Sequence, residues 1–268
     1  MLMTLRPLLV ALSAVALLVG LAPGRASAQQ STAPGMMAPA TPTLGGNSFS
    51  AAQRAEIVSI MRQAMIRDPS ILRQAVAALQ ADDQRAQANA QGQAIAAQRD
   101  ALVADASDPT IGNPRGDVAV VEFYDVRCPY CRQVRPLIET LAREDPKVRV
   151  VFKDIPILGP ASVIGARALL AAQRQGGYAK MQEALMSESA PATEDSISAD
   201  ATRLGLNAKM LLRDMNSPAV TEKLAANASL AQTLGISGTP AFVIGDQLVP
   251  GAVGLADLHK LVGMARAS

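Results

Sequence analysis

The rhythm of apolar positions changes along the chain, and each change predicts an element. Val118 to Tyr124 is a near-continuous apolar run broken only by Glu122, the pattern of a strand covered on both faces. From Cys128 the spacing becomes helical, with Val134, Leu137, Ile138 and Leu141 on one stripe. Val148 to Phe152 is strand-like again. The three form a strand-helix-strand unit, whose crossover is expected to be right-handed.

Ala161 to Leu234 keeps helical periodicity, with breaks at Gly176-Gly177, Ser189-Ala190-Pro191 and Gly205. Ser217-Pro218 starts its last helix and Gly235 ends it. Ala241 to Ile244 and Gln247 to Val249 are short strands joined by the turn pair Gly245-Asp246. Leu255 to Ala265 is a closing helix. Asp108 to Gly116, rich in Pro and Gly, is expected to be loop.

The N-terminal third reads differently. Ser50-Ala51-Ala52-Gln53 fits a capping box, and Ile57, Met61, Ala64 and Met65 follow at helical spacing. Asp68-Pro69 restarts a helix whose apolar face is Ile71, Leu72, Ala75, Val76 and Leu79. From Gln80 to Asp100 the chain is Ala- and Gln-rich, with Ile95 its one large apolar residue. Helix propensity persists there without a stripe to bury. Asp83 and Gln93 interrupt any heptad seam. Residues 48–104 are therefore predicted to be a helical arm. It either oligomerises through its more apolar first half or packs on the main domain.

Ahead of the arm, Arg6, the uncharged run Leu8 to Ala22 and Ala26-Ser27-Ala28 read as a secretory signal over residues 1–28. The run is shorter than the roughly 20 residues a bilayer span needs. Residues 29–47 hold prolines, glycines and no charge, and read as a flexible linker. Removing the signal takes two of the 25 basic residues and leaves 23 against 23 acidic ones. A neutral chain lacks the basic surface of a nucleic-acid binder. With two cysteines and one histidine, four-ligand structural zinc and three-histidine catalytic sites are excluded. Export would place both cysteines where disulfides form and persist.

Those cysteines carry the chemistry. Cys128-Pro129-Tyr130-Cys131 lies between a buried strand and a helix start, so Cys128 sits where amide N–H groups and the helix dipole favour negative charge. A thiolate there is a nucleophile, and a second thiol one turn on can resolve a mixed disulfide. A structural disulfide closing so short a loop would contribute at most about 2 kcal/mol. Redox chemistry is therefore the better use of the pair. The competing use is as a thiolate pair for Cu(I) or Zn(II), in a metal-binding or copper-tolerance protein whose thiolates sequester Cu(I).

Cys128-x-x-Cys131 with Pro136 in the following helix, and Ile236-Ser237-Gly238-Thr239-Pro240 ahead of a strand, resemble the thioredoxin fold. The intervening helices resemble the insertion of DsbA-like proteins. The stretches Phe49 to Leu79, Gly116 to Cys131 and Gly235 to Gly251 are similar to suppressor-of-copper-sensitivity C proteins, a periplasmic DsbA-like group. The fold implied is α/β: a thioredoxin-like domain over 105–268, with a helical insertion at about 160–235, preceded by the arm. The activity implied is oxidase or isomerase exchange with exported proteins bearing thiols or disulfides, recycled by a membrane redox partner and using no cofactor. The resemblance implies a cis Thr239–Pro240 bond that presents the Thr239 backbone to a client strand. It also implies a buried acid, Glu122, that relays protons to Cys131. Lys153, ending the next strand, is the expected partner of Glu122. Tyr130 replaces the histidine of strongly oxidising relatives, so a milder oxidant is expected. Cys-Pro-Tyr-Cys also occurs in glutaredoxins, but the leader, length and helical insertion argue against that reading. Phe123, Tyr124 and Tyr130 are expected to floor the site or touch substrate.

Overall fold

A computed structural model describes residues 49–267. The signal and linker predicted over residues 1–28 and 29–47 lie outside the described residues. The chain divides into two compact units, Met1–Ala64 and Met65–Ser268.

In the first unit begins α1 (Ala51–Arg67). Its start is the expected capping box: Gln53 N donates to Ser50 Oγ at 3.2 Å, and Ser50 N donates to Gln53 Oε1 at 2.8 Å. No side chain of α1 is buried, and Ile57, Val58, Ile60 and Met61 stand exposed.

The second unit opens with α2 (Ser70–Ala97), whose first turn donates Ser70 N to Asp68 Oδ1 at 3.0 Å. The helix runs unbroken through the Ala- and Gln-rich stretch. Its far end does bury a residue, Ile95, and the short α3 (Arg99–Val103) buries Leu102. Both pack against Val121, Phe123, Val151 and Val243. Residues around 95–103 thus belong to the core of the sheet, through single apolar residues too sparse to register as a stripe.

The sheet has five strands in the order β1-β3-β2-β4-β5. β2 (Val118–Tyr124) and β3 (Val148–Asp154) are parallel, joined by α4 (Pro129–Glu144). β4 (Ala241–Ile244) and β5 (Gln247–Pro250) form the antiparallel hairpin, with Gly245 at φ 63° in its turn. β1 (Thr110–Gly112) pairs antiparallel with β3 inside the stretch expected to be loop. Three residues between Pro109 and Asn113-Pro114 are too short to show alternation. Gly112 at φ 79° lets that edge close: a Cβ there would lie 2.6 Å from the Val148 carbonyl oxygen.

Parallel pairing in register sorts the side chains by face. Val118, Val120, Glu122 and Tyr124 share one face with Val148, Val150, Phe152 and Asp154. That face meets α4, the helical insertion, and α10 (Leu255–Ala267) through Leu258 and Val262. Val121, Phe123, Val151 and Lys153 point the other way, toward α3 and Leu230 and Ala231 of the last insertion helix.

The insertion is α5 (Pro160–Gln173), α6 (Tyr178–Ser187), α7 (Glu194–Arg203), α8 (Ala208–Met215) and α9 (Pro218–Thr233). Thr193, Asn207 and Ser217 cap α7, α8 and α9 by accepting backbone N–H bonds. Gly165 lets α5 approach the active-site loop, since a Cβ there would meet Val126 Cγ1 at 2.7 Å.

Candidate active site

Cys128 is the N-cap of α4, extended at φ −69° and ψ 122°, with Pro129 as first helical residue. Its backbone N–H donates to the Asp125 carbonyl at 2.9 Å, and its carbonyl accepts from Arg132 N at 3.1 Å. An N-cap side chain ordinarily accepts from the free amides of the first turn. Here that place belongs to sulfur, so a developing thiolate meets the positive end of the helix. Both cysteines are free thiols, Cys128 only 4 % exposed and Cys131 fully buried.

The Thr239–Pro240 peptide is cis. The loop comes directly to the cysteine: Cys128 Sγ donates to the Thr239 carbonyl oxygen at 3.3 Å. Residues 111 apart in sequence are thereby in contact. The loop and β5 enclose a cleft of about 200 Å³ lined by Gly238, Thr239, Pro240, Leu248 and Pro250.

Glu122 lies on β2, on the face that α4 covers, and is buried. Its carboxyl is pushed up to about 8, chiefly by desolvation and next by the Asp154 charge, with Arg135 offsetting part of the effect. Its Oε1 has no hydrogen-bond partner among the described residues. Burial, and next the nearby Glu122 charge, push the Cys131 thiol well above the usual range. The protons of Glu122 and Cys131 are therefore electrostatically coupled.

Two expectations need correction. Lys153 does not pair with Glu122. Strand alternation sends it to the opposite face, where Nζ donates to the Ala101 carbonyl at 2.7 Å and is ion-paired with Asp108. Lys223 joins the same carboxylate and Asp105. Phe123 likewise faces that other core, so it does not floor the site. Tyr124 is buried on the site face, and Tyr130 stands 59 % exposed beside Cys128.

Several residues of this region escaped the sequence reading. Asp125 is buried and ties the loop: Oδ1 accepts from Arg127 N at 2.8 Å, and Oδ2 from Ile157 N and Leu158 N at 2.9 and 3.0 Å. Arg127 Nη1 donates to the Ala190 carbonyl at 2.7 Å, and Arg132 Nη2 to the Leu185 carbonyl at 3.3 Å, joining the cysteine turn to the insertion. Asp154 accepts from Tyr178 OH at 3.0 Å, and Tyr178 OH lies 2.5 Å from Tyr124 OH. Asp125 had one legible signal, an acid at the exit of a buried strand three residues before Cys128. Tyr178 had none, since only folding brings the start of α6 to the strand end.

Comparison with known proteins agrees with this geometry. Residues 119–263 match the family model of the DSBA-like thioredoxin domain. A thioredoxin-like oxidoreductase from Silicibacter pomeroyi is 46 % identical, with a TM-score of 0.61 over 63 % of this chain and 98 % of that one. Proteus mirabilis ScsC in a transitional conformation is 31 % identical, with a TM-score of 0.61 over 82 % of this chain and 98 % of its own. Thiol:disulfide interchange protein DsbA of Bordetella parapertussis is 27 % identical over 150 residues, 54 % of this chain and 71 % of the relative. The chain also matches Na(+)/H(+) antiporter NhaA 3 of Salinispora tropica, 28 % identical over 167 residues, but spans only 26 % of that protein's length. No helix among the described residues is long and apolar enough to cross a membrane.

Proposed function

Because the chain belongs to the family of DSBA-like thioredoxin domains, we propose that it is a thiol-disulfide oxidoreductase that exchanges disulfides with exported proteins in the periplasm. The observation that carries the reading is the contact between Cys128 Sγ and the Thr239 carbonyl. It brings a nucleophile at a helix N-terminus beside backbone that can pair with an extended client.

In the oxidising direction a client thiolate attacks Cys128 Sγ of the Cys128–Cys131 disulfide. The S–S bond breaks, a Cys128–client disulfide forms, and Cys131 leaves as a thiolate that takes the proton of Glu122. A second client thiolate then attacks the client sulfur and displaces Cys128. The client is oxidised by two electrons and the protein reduced by two. In the reducing or isomerising direction the Cys128 thiolate attacks a client disulfide. Cys131 then passes its proton to the Glu122 carboxylate and attacks Cys128 Sγ. A membrane redox partner would reset the pair after net oxidation or reduction.

The arm supports assembly into a homo-oligomer. Ile57, Ile60 and Met61 of α1, and Leu72, Val76 and Leu79 of α2, are all exposed, an apolar load on each helix that favours burial against a partner. Several sites facing one client would favour isomerisation by effective concentration.

The test is reactivation of scrambled, multiply disulfide-bonded ribonuclease by the full mature chain. Recovery lost in Cys128→Ser supports exchange at this site; undiminished recovery in that variant sinks it. Rapid oxidation of reduced ribonuclease without reshuffling would identify the oxidase direction. Removing the arm for comparison must spare residues 95–103, because Ile95 and Leu102 are core.

A further inference from the structure

Beneath the cysteines lies a group of buried polar side chains that the exchange steps leave unused. Asp154 ends β3 directly beside Tyr124, its register partner at the end of β2. Its side chain accepts from Tyr178 OH, the first residue of α6, and Tyr178 OH is in turn 2.5 Å from Tyr124 OH. The Phe152 ring lies edge-on to Tyr124 and stacks on Tyr178, at 5.7 and 5.9 Å between centroids, and shields the group from water. All three polar side chains are buried. No cation pairs with the Asp154 carboxylate among the described residues, because Lys153 faces away and is taken by Asp108.

Two residues before Tyr124, on the same sheet face, is Glu122. Two carboxyls in one apolar compartment cannot both ionise cheaply. We propose that Asp154, held by Tyr178 of the insertion, is a positioning residue that governs when Glu122 surrenders its proton, and so when Cys131 can be deprotonated to resolve a mixed disulfide.

The surroundings agree. Asp154 is pushed up to about 7, chiefly by desolvation, with the Tyr124 and Tyr178 hydrogen bonds to the carboxylate offsetting part of the rise. The more distant charges of Asp108 and Asp125 raise it. Gln182 of α6 interacts with Tyr124. From α9, Asn227 Nδ2 donates to the Asp154 carbonyl, not to its side chain. Around Glu122, α4 contributes Cys128, Cys131 and Arg135, whose Nη1 is buried without a hydrogen-bond partner among the described residues, and β4 contributes apolar Phe242. A charge on Asp154 makes Glu122 hold its proton longer. The insertion helix α6 thus reaches the resolving thiol through one hydroxyl, one carboxylate and Glu122.

This inference rests on Glu122 acting as the proton carrier, so the experiment separates the two. Stopped-flow mixing of the reduced protein with a disulfide-linked fluorescent peptide gives the rate at which Cys131 releases the peptide thiol. That rate is followed across about pH 5 to pH 9 in wild type, Glu122→Gln, Asp154→Asn and Tyr178→Phe. Glu122→Gln removes the inflection that the carboxyl imposes. Asp154→Asn moves the inflection to lower pH by about one pH unit, because the opposing charge is gone. Tyr178→Phe moves it the same way by less, since Asp154 without its hydroxyl stays protonated longer. An inflection that stays in place in both variants, yet vanishes in Glu122→Gln, overturns the role of Asp154 and leaves the carrier intact. An inflection that survives Glu122→Gln removes the carrier instead. The infrared carboxylic-acid band lost in Glu122→Gln then decides: its titration must shift in Asp154→Asn, or the coupling is refuted. Should Asp154→Asn not fold, Tyr178→Phe carries the same test.

Discussion

At Cys128 the helix end and the cis-proline loop act on one atom. Pro129 offers no N–H, so the amides of Tyr130 and Cys131 are the first that can meet charge on the sulfur. Cys131, one turn in, is buried and its thiol is pushed up, in keeping with the proposal that it finishes exchange rather than starts it. Replacing Cys128 by serine is expected to abolish exchange, whereas Cys131→Ser should accumulate Cys128–client mixed disulfides, visible as adducts on a non-reducing gel. The buried acids also set the pH dependence of the fold. Glu122 and Asp154 hold their protons more tightly folded than unfolded, so the folded state binds more protons between about pH 4 and pH 8. Stability is greatest below the unfolded values and declines as pH rises through 7 to 8. Glu122→Gln should flatten that decline, by an amount on the order of a few kcal/mol at pH 8. Denaturant unfolding at several pH values reads the difference; an unchanged slope would refute the assignment.

Between elements, the two faces of the sheet do separate work. The face of Glu122, Tyr124 and Asp154 belongs to the site. The other carries Lys153, Asp108 and Lys223, which fasten α3 and the following loop to β3 and α9. Lys153→Met is therefore expected to destabilise the fold by about 3 kcal/mol, as removal of one partner from a buried ion pair does. The pH profile of exchange should keep its wild-type inflection, because the lysine never meets Glu122. A moved inflection in that variant would place Lys153 in the site after all. In the insertion, Thr193 and Ser196 close a reciprocal capping box on α7. Thr193→Ala should cost about 1 kcal/mol in thermal or denaturant unfolding. It should leave exchange intact, since the active-site turn is tied to the Leu185, Ser189 and Ala190 carbonyls ahead of that cap.

For the molecule as a whole, the arm carries most of the exposed large apolar side chains among the described residues. Leu72, Val76 and Leu79 recur at three- and four-residue spacing on α2 and are exposed. If these side chains assemble copies of the chain, Leu72→Glu with Val76→Glu should lower the mass seen by sedimentation equilibrium while leaving single-site peptide oxidation unchanged. Equal masses for the two proteins would count against the arm as an assembly element. Only ribonuclease reshuffling, which profits from several sites on one client, is expected to fall with the mass.

What the amino-acid order determined by itself is the local chemistry. The two thiols at a strand-to-helix junction, Pro136 in α4, the Ser50 and Thr239-Pro240 motifs and the helical punctuation of the insertion were legible because each is a short-range pattern governed by backbone geometry. The buried acid was visible for the same reason, as one charge in an apolar run. Tertiary structure alone decided what each of these touches. Strand alternation turned Lys153 and Phe123 away from Glu122, although one is adjacent to it in sequence and the other lies on the neighbouring strand. Folding of the insertion brought Tyr178 to Asp154, and a single isoleucine and leucine tied the end of the arm to the sheet. Such pairings depend on which face a residue takes and on what packs there, and those are set only when distant segments exclude water together.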